Sequence, residues 1–168
     1  SYSFTVTASD AAGTSATTTV EFSITNLLER ITSGATGTDL EENIGAGQTV
    51  YTITADANDG GTNSYAIAGT DADLLSVNAA SGVVTLNANP DYENKSSYSF
   101  TVTATDAAGT SAATTVTFSI TNVDDIVPTI TSGTTGNNLE ENTGAGQTVY
   151  TITATDNIAV SGYAIAGT

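Results

Sequence analysis

Apolar side chains alternate with Ser and Thr over short stretches of this chain, and the alternation has a period of two. In SYSFTVTA, Tyr98, Phe100 and Val102 fall on one face and serines and threonines on the other, the mark of a half-buried β-strand. TTVTFSIT places Val116, Phe118 and Ile120 inward in the same way. TVYTITA does so with Tyr51, Ile53 and Ala55, and GVVTLN with Val84 and Leu86. Ala-Ser-Gly, Asn-Asp-Gly-Gly and Ala-Ala-Gly segments punctuate these stretches as turns. No stretch carries a helical period. The pattern predicts an all-β fold of about seven short strands, the size of an immunoglobulin-like Greek-key sandwich.

The same phrases return further along the chain. SYSFTVTASDAAGTSA begins at Ser1 and SYSFTVTATDAAGTSA at Ser97; ENIGAGQTVYTIT begins at Glu42 and ENTGAGQTVYTIT at Glu141. A period of about 100 residues is a whole domain, far longer than one solenoid turn. The expected organisation is therefore tandem: residues 1–26 the C-terminal part of one repeat, 27–122 a complete repeat, and 123–168 the N-terminal part of the next. Neither partial repeat holds a counterpart of Asp71–Ser96, so the chain reads as a segment of a longer array.

Charge narrows the chemistry. Eighteen Asp and Glu face two basic residues, Arg30 and Lys95, for a formal net charge of −16. Such a surface repels a phosphate backbone and an anionic membrane, so neither nucleic acid nor membrane insertion is expected. The chain has no Cys and no His. Disulfides and thiolate sites are absent, and any metal must be held by oxygen, which suits calcium, magnesium or manganese. General-base histidine and nucleophilic cysteine are equally missing, and two basic side chains offer little to a developing anion. An enzyme is not expected.

The carboxylates cluster where strands end: Leu-Glu-Glu-Asn at 40–43, Asp56 with Asn58 and Asp59, Asp91-Tyr92-Glu93, Asp106, and Asn122-Val123-Asp124-Asp125. Outward strand positions carry Thr and Ser instead. Crowded like charges are costly unless a cation fills the gap, and calcium takes six to eight oxygens in the irregular geometry that loops offer.

These pieces, in this order, resemble the cadherin repeat. Its pattern is matched by Glu42-Asn43, Asp56-x-Asn58, Asp91-Tyr92-Glu93, Ala104-x-Asp106 and Asn122-x-Asp124-Asp125. Glu141-Asn142 and Asp156 follow in the third repeat, and Ala8-x-Asp10 precedes in the first. The resemblance implies calcium at the repeat junctions. Glu42, Asp91, Glu93, Asn122, Asp124 and Asp125 would gather at the lower junction, completed by Asp156 of the following repeat. Asp56, Asn58 and Asp106 would form a weaker upper site facing the linker after Asn26. Three departures stand out: the upper linker, Asn26-Leu27-Leu28-Glu29, lacks the acidic pair found at 124–125, Asn122 stands where the family usually has Asp, and Ile158 stands where the family usually has a second acidic ligand.

The resemblance implies an extracellular, cell-surface protein of bacterial type: a calcium-stiffened extender in an adhesin or surface fibre, whose first partners are neighbouring repeats of its own chain. Near-identical repeats favour a spacer, which needs copies. The alternatives are a module binding polysaccharide or, homotypically, another such repeat, and a fibre subunit joined to its neighbours by strand complementation.

Overall fold

The computed structural model describes residues 1–56 and 63–167. In chain order its strands are β1 (Tyr2–Val6), β2 (Ser9–Asp10), β3 (Gly13–Thr14), β4 (Thr18–Phe22), β5 (Leu40–Glu41), β6 (Thr49–Thr52), β7 (Ser64–Ala68), β8 (Leu75–Val77), β9 (Val83–Leu86), β10 (Ser97–Thr105), β11 (Thr114–Thr121), β12 (Thr129–Ile130) and β13 (Ala154–Thr155). A single turn of 3-10 helix, Ala72–Leu74, precedes β8.

A four-stranded sheet of order β5-β11-β10-β7 faces a three-stranded sheet of order β6-β9-β8. The chain crosses between the sheets four times from β5 to β10, which gives a Greek-key sandwich. β10 pairs antiparallel with β11, from Ser97 opposite Ser119 to Val102 opposite Thr114. On its other edge β10 pairs with β7. β5 joins parallel to the far end of β11, Leu40 opposite Ile120 and Glu41 opposite Thr121.

The period-two pattern explains which side chains fill the space between the sheets. Tyr98, Phe100, Val102 and Ala104 point inward from β10, and Val116, Phe118 and Ile120 from β11; all are buried. Tyr98 stacks on Phe118 at 4.7 Å, and Phe100 meets Phe118 and Tyr51 edge-on at 6.4 and 6.1 Å. The Tyr51 hydroxyl reaches the rim of the core, 2.7 Å from Ser33 Oγ and 2.6 Å from the Gly34 carbonyl. β6 departs from simple alternation. A register shift between Thr49 and Tyr51 turns both Val50 and Tyr51 inward, as a β-bulge does by adding one residue to a strand.

Two local features fasten the sheets. The turn before β9 ends on Gly82 at φ +73°, where a Cβ would collide with the Ile53 carbonyl oxygen. Only glycine leaves room for the approach that lets Ile53 N–H donate to the Gly82 carbonyl at 2.8 Å. Asp71, buried beside the 3-10 turn, accepts the Ser99 N–H at 2.7 Å and pairs with Lys95 Nζ at 3.0 Å. The Lys95 ammonium also lies 5.1 Å from the centre of the Tyr98 ring, so the buried charge is paired as burial requires.

Before the sandwich, β1 and β4 pair in the register of β10 and β11, with Tyr2 opposite Phe22. Their inward-type residues remain open: Phe4 is 51% exposed where its counterpart Phe100 is 1% exposed. After the sandwich, β12 and β13 pair antiparallel, Thr129 opposite Thr155.

Candidate metal centre

The parallel pairing of β5 with β11 decides where Glu42 goes. Glu41 sits opposite Thr121, so the next residue lands at the lower end of the sandwich, where Glu42 N–H donates to the Thr121 carbonyl at 3.2 Å. Asn43 then turns with φ +64° and donates its N–H to the Pro90 carbonyl at 3.0 Å. Glu42 is thereby held between the segment before Tyr92 and the segment after β11. Its side chain, in a residue only 3% exposed, accepts the Val123 N–H at 2.7 Å on one oxygen and the Tyr92 N–H at 2.8 Å on the other.

Asp91 opens a tight turn. Its Oδ1 accepts the Asn94 N–H at 2.9 Å and its carbonyl accepts the Lys95 N–H at 2.9 Å. The turn carries Glu93 with it, so Glu42, Asp91 and Glu93 each offer a carboxylate oxygen within 4.8 Å of the others. Like charges this close call for a counter-ion.

A second gathering adjoins the first and shares Glu93. Asn157 Nδ2 lies 2.9 Å from the Val123 carbonyl, 3.1 Å from Glu93 Oε1, 3.2 Å from Asn122 Oδ1 and 3.3 Å from Asp125 Oδ1. The other oxygen of Asp125 accepts Asn43 Nδ2–H at 2.7 Å. Asp124, Asp125 and Asp156 line an open cleft of about 290 Å³ together with Ile126, Val127 and Pro128. Asp156 also accepts the Asn157 N–H at 2.7 Å. Asn157 Oδ1 is buried and has no hydrogen-bond partner. An all-oxygen donor set, three crowded carboxylates and an orphaned buried carbonyl oxygen fit a hard cation of calcium's kind.

The upper end is built differently. Asp56 is engaged by Arg30, with Nε 3.1 Å from its Oδ2. Asp106 Oδ1 accepts the Ala108 and Gly109 N–H groups at 2.9 and 3.1 Å, while its Oδ2 is buried without a partner. Glu29, in the linker, is only 3% exposed and its Oε2 is likewise buried and unpartnered. Asn58 lies outside the described residues. Among the described residues, the only group of three or more acidic side chains with mutually close oxygens is the one at the lower end.

The cadherin domain family matches residues 37–121, just over half of the chain. The chain belongs to the cadherin domain family. The matched span contains Glu42, Asp91 and Glu93 and stops just short of Asn122. Cadherin domains are extracellular adhesion modules, and no helix among the described residues is long and apolar enough to cross a membrane.

Solved cadherin structures share the fold. Human protocadherin-24 EC1-2 superposes with a TM-score of 0.65 at 20% identity, over 79% of this chain and 61% of that one. The protocadherin gammaB7 EC3-6 cis-dimer structure gives 0.67 at 22%, over 92% and 43%. Mouse cadherin-23 EC22-24 gives 0.62 at 22%, over 77% and 43%. This chain therefore spans less than two thirds of each of these structures. No curated protein matches it.

Three residues near the two ends of the sandwich escape a reading of motifs. Asn157 follows Asp156 and looks like an ordinary loop amide. Asn43 enters the family pattern but not the ligand set, and its reach to Asp125 depends on its left-handed backbone. Glu29 is the one acidic residue between Asn26 and Arg30, and that was the available signal for its burial.

The carboxyl of Glu42 is held below its ordinary value of 4.5, first by the Val123 N–H, then by the Tyr92 N–H, with a smaller contribution from Glu93; burial acts the other way and is outweighed. A group whose folded pKa is depressed contributes stability in full above its unfolded pKa and loses it as pH falls through the folded value. In chelator, the urea midpoint should hold from neutral pH down to about 4.5 and decline below it. The decline should be shallower in Glu42→Gln; an identical slope in the two proteins would contradict this role.

Proposed function

We propose that this chain is a non-catalytic, calcium-stiffened extender segment of an extracellular bacterial adhesin or surface fibre. The observation that carries the reading is the lower junction, where Glu42, Asp91 and Glu93 of the sandwich meet Asn122 and Asp125 of the linker and Asn157 beyond it. The tandem organisation, with boundaries at 26/27 and 122/123, belongs to the same reading. Glu42, Asp91, Glu93, Asn122, Asp124, Asp125 and Asp156 would hold the ion. Calcium supplies positive charge and several coordination positions at once, so bending the junction would strip oxygens from it.

The upper junction, with Asp56, Asn58 and Asp106, is the weaker calcium site. Arg30 already neutralises Asp56 there, and the linker has Leu27 and Leu28 where the lower one has acids. A spacer reading is supported by the near-identity of neighbouring repeats and by the absence of His and Cys. A module binding polysaccharide or protein has no feature of comparable weight behind it.

A second reading, a fibre subunit joined by strand complementation, is favoured by the open apolar faces of Tyr2, Phe4 and Phe22 on one side and Leu139, Tyr150 and Tyr163 on the other. Small-angle X-ray scattering in calcium and then in chelator tests both. The extender predicts a monomer whose distance distribution lengthens and narrows with calcium. An unchanged distribution would contradict stiffening, and a mass that grows with concentration would favour the fibre.

A further inference from the structure

We propose that Lys95 and Asp71 condense into a side-chain amide, a covalent lock formed once by the folded chain between the segment after β7 and the start of β10. It is independent of the calcium reading of the lower junction.

The two side chains are placed as reactants. Lys95 Nζ lies 3.0 Å from Asp71 Oδ1, while the other carboxylate oxygen, Oδ2, accepts the Ser99 N–H at 2.7 Å. Asp71 is buried, and its backbone N–H donates to the Ser99 carbonyl at 3.2 Å. Main chain and side chain of Asp71 are therefore both pinned to β10. Lys95 is half-buried. Its N–H donates to the Asp91 carbonyl, and the carbonyl of the next residue, Ser96, accepts the Ile120 N–H, both at 2.9 Å. The Tyr98 ring, stacked on Phe118, stands 5.1 Å from the ammonium. Arg30 and Asp56 form an ion pair too, but Arg30 is open to solvent and a guanidinium does not give up its proton to become a nucleophile.

These contacts divide the two oxygens between the roles that amide formation needs. The ammonium passes a proton to Oδ1, leaving a neutral amine beside a neutral acid, and a buried group avoids the cost of carrying charge by this exchange. Nζ then attacks Cγ. Negative charge develops on Oδ2, where the Ser99 N–H already stands at the distance an oxyanion donor requires. A second proton from Nζ goes to Oδ1, the Cγ–Oδ1 bond breaks and one water leaves. The Nζ–Cγ amide remains, and no other reactant is consumed. Between separate molecules in water this condensation runs uphill, but groups held in contact gain an effective concentration of about 10⁵–10⁸ M.

The amide closes a loop that holds β8 and β9, two of the three strands of the smaller sheet, to the start of the central strand β10. A cross-link of this kind stabilises the fold by constraining the unfolded chain, and it resists pulling as an ion pair does not.

Intact mass spectrometry and tryptic digestion test this on the full chain, held folded at neutral pH until its mass is constant. Arg30 and Lys95 are the only basic residues, so trypsin has two places to cut. Wild type should weigh one water less than its sequence and, once denatured, be cut at Arg30 alone, because an acylated lysine is no trypsin site. Fragment ions should place the link between Asp71 and Lys95. Lys95→Arg keeps the positive charge but cannot condense, so it should show its full mass and be cut at both positions. A wild type of full mass that is cut at Lys95 overturns the proposal, and so does a mass deficit that persists in Lys95→Arg.

Discussion

Replacing Phe100 by alanine should lower the unfolding free energy by about 3–5 kcal/mol. Phe100 is fully enclosed between the sheets, inward on the central strand β10, with Phe118 and Tyr51 against its ring. β10 is paired on both edges, so the backbone has little freedom to close the space left by the ring, and the cavity persists. The comparison with Phe4 isolates burial from sequence. Phe4 occupies the matching place in β1 and has the same neighbours in the chain, but lies half open to solvent. Phe4→Ala should therefore change stability by about 0.5 kcal/mol or less. Urea unfolding of the two variants gives both numbers. Equal losses would mean that the sandwich is not where the stability resides.

The second large effect is expected at the junction. With calcium at 100 times its dissociation constant, a protein that binds it only when folded gains about 2.7 kcal/mol. Glu93 belongs both to the carboxylate trio and to the oxygen nest around Asn157. Glu93→Gln keeps the shape of the side chain and removes its charge. In calcium it should forfeit about 1–2 kcal/mol of that gain, because ligand charge sets calcium affinity. In chelator the sign changes: Glu93→Gln should melt no lower than wild type, since one of three crowded carboxylates has become neutral. Paired melts of wild type and variant in the two buffers read both effects. A variant that melted lower by the same amount in both would have lost packing, not a ligand.

Much of this architecture was open to a reading of the chain alone. Alternation in SYSFTVTA and TTVTFSIT predicted the buried faces of β10 and β11 residue by residue, because those strands are long, regular and covered on one side only. Val50 was not legible, since a bulge puts two successive residues of β6 inward and breaks the period. Leu75 was missed for a related reason: β8 is three residues long, too short for alternation to register. At the junction, the placing of Glu42 beside Asp91 and Glu93 rests on a parallel pairing of β5 with β11 across some 80 residues of chain, and only the family resemblance anticipated it. Asn157 was invisible because its part comes from which oxygens surround it, and no local pattern encodes those. Nothing in Asn26-Leu27-Leu28-Glu29, a stretch without the acidic pair of 124–125, marks Glu29 as buried, because its burial is a tertiary fact.

The central claim is that the lower junction is a calcium site. Calorimetric titration of calcium chloride into the chelator-stripped wild-type chain tests it most directly. Saturable uptake is expected, with a dissociation constant at or below about 1 mM, the range of extracellular modules, and it should be lost when Glu42, Asp91 and Glu93 are replaced together by their amides. Heats no larger than dilution up to about several millimolar calcium would mean that the acidic loops carry solvating charge and hold no ion.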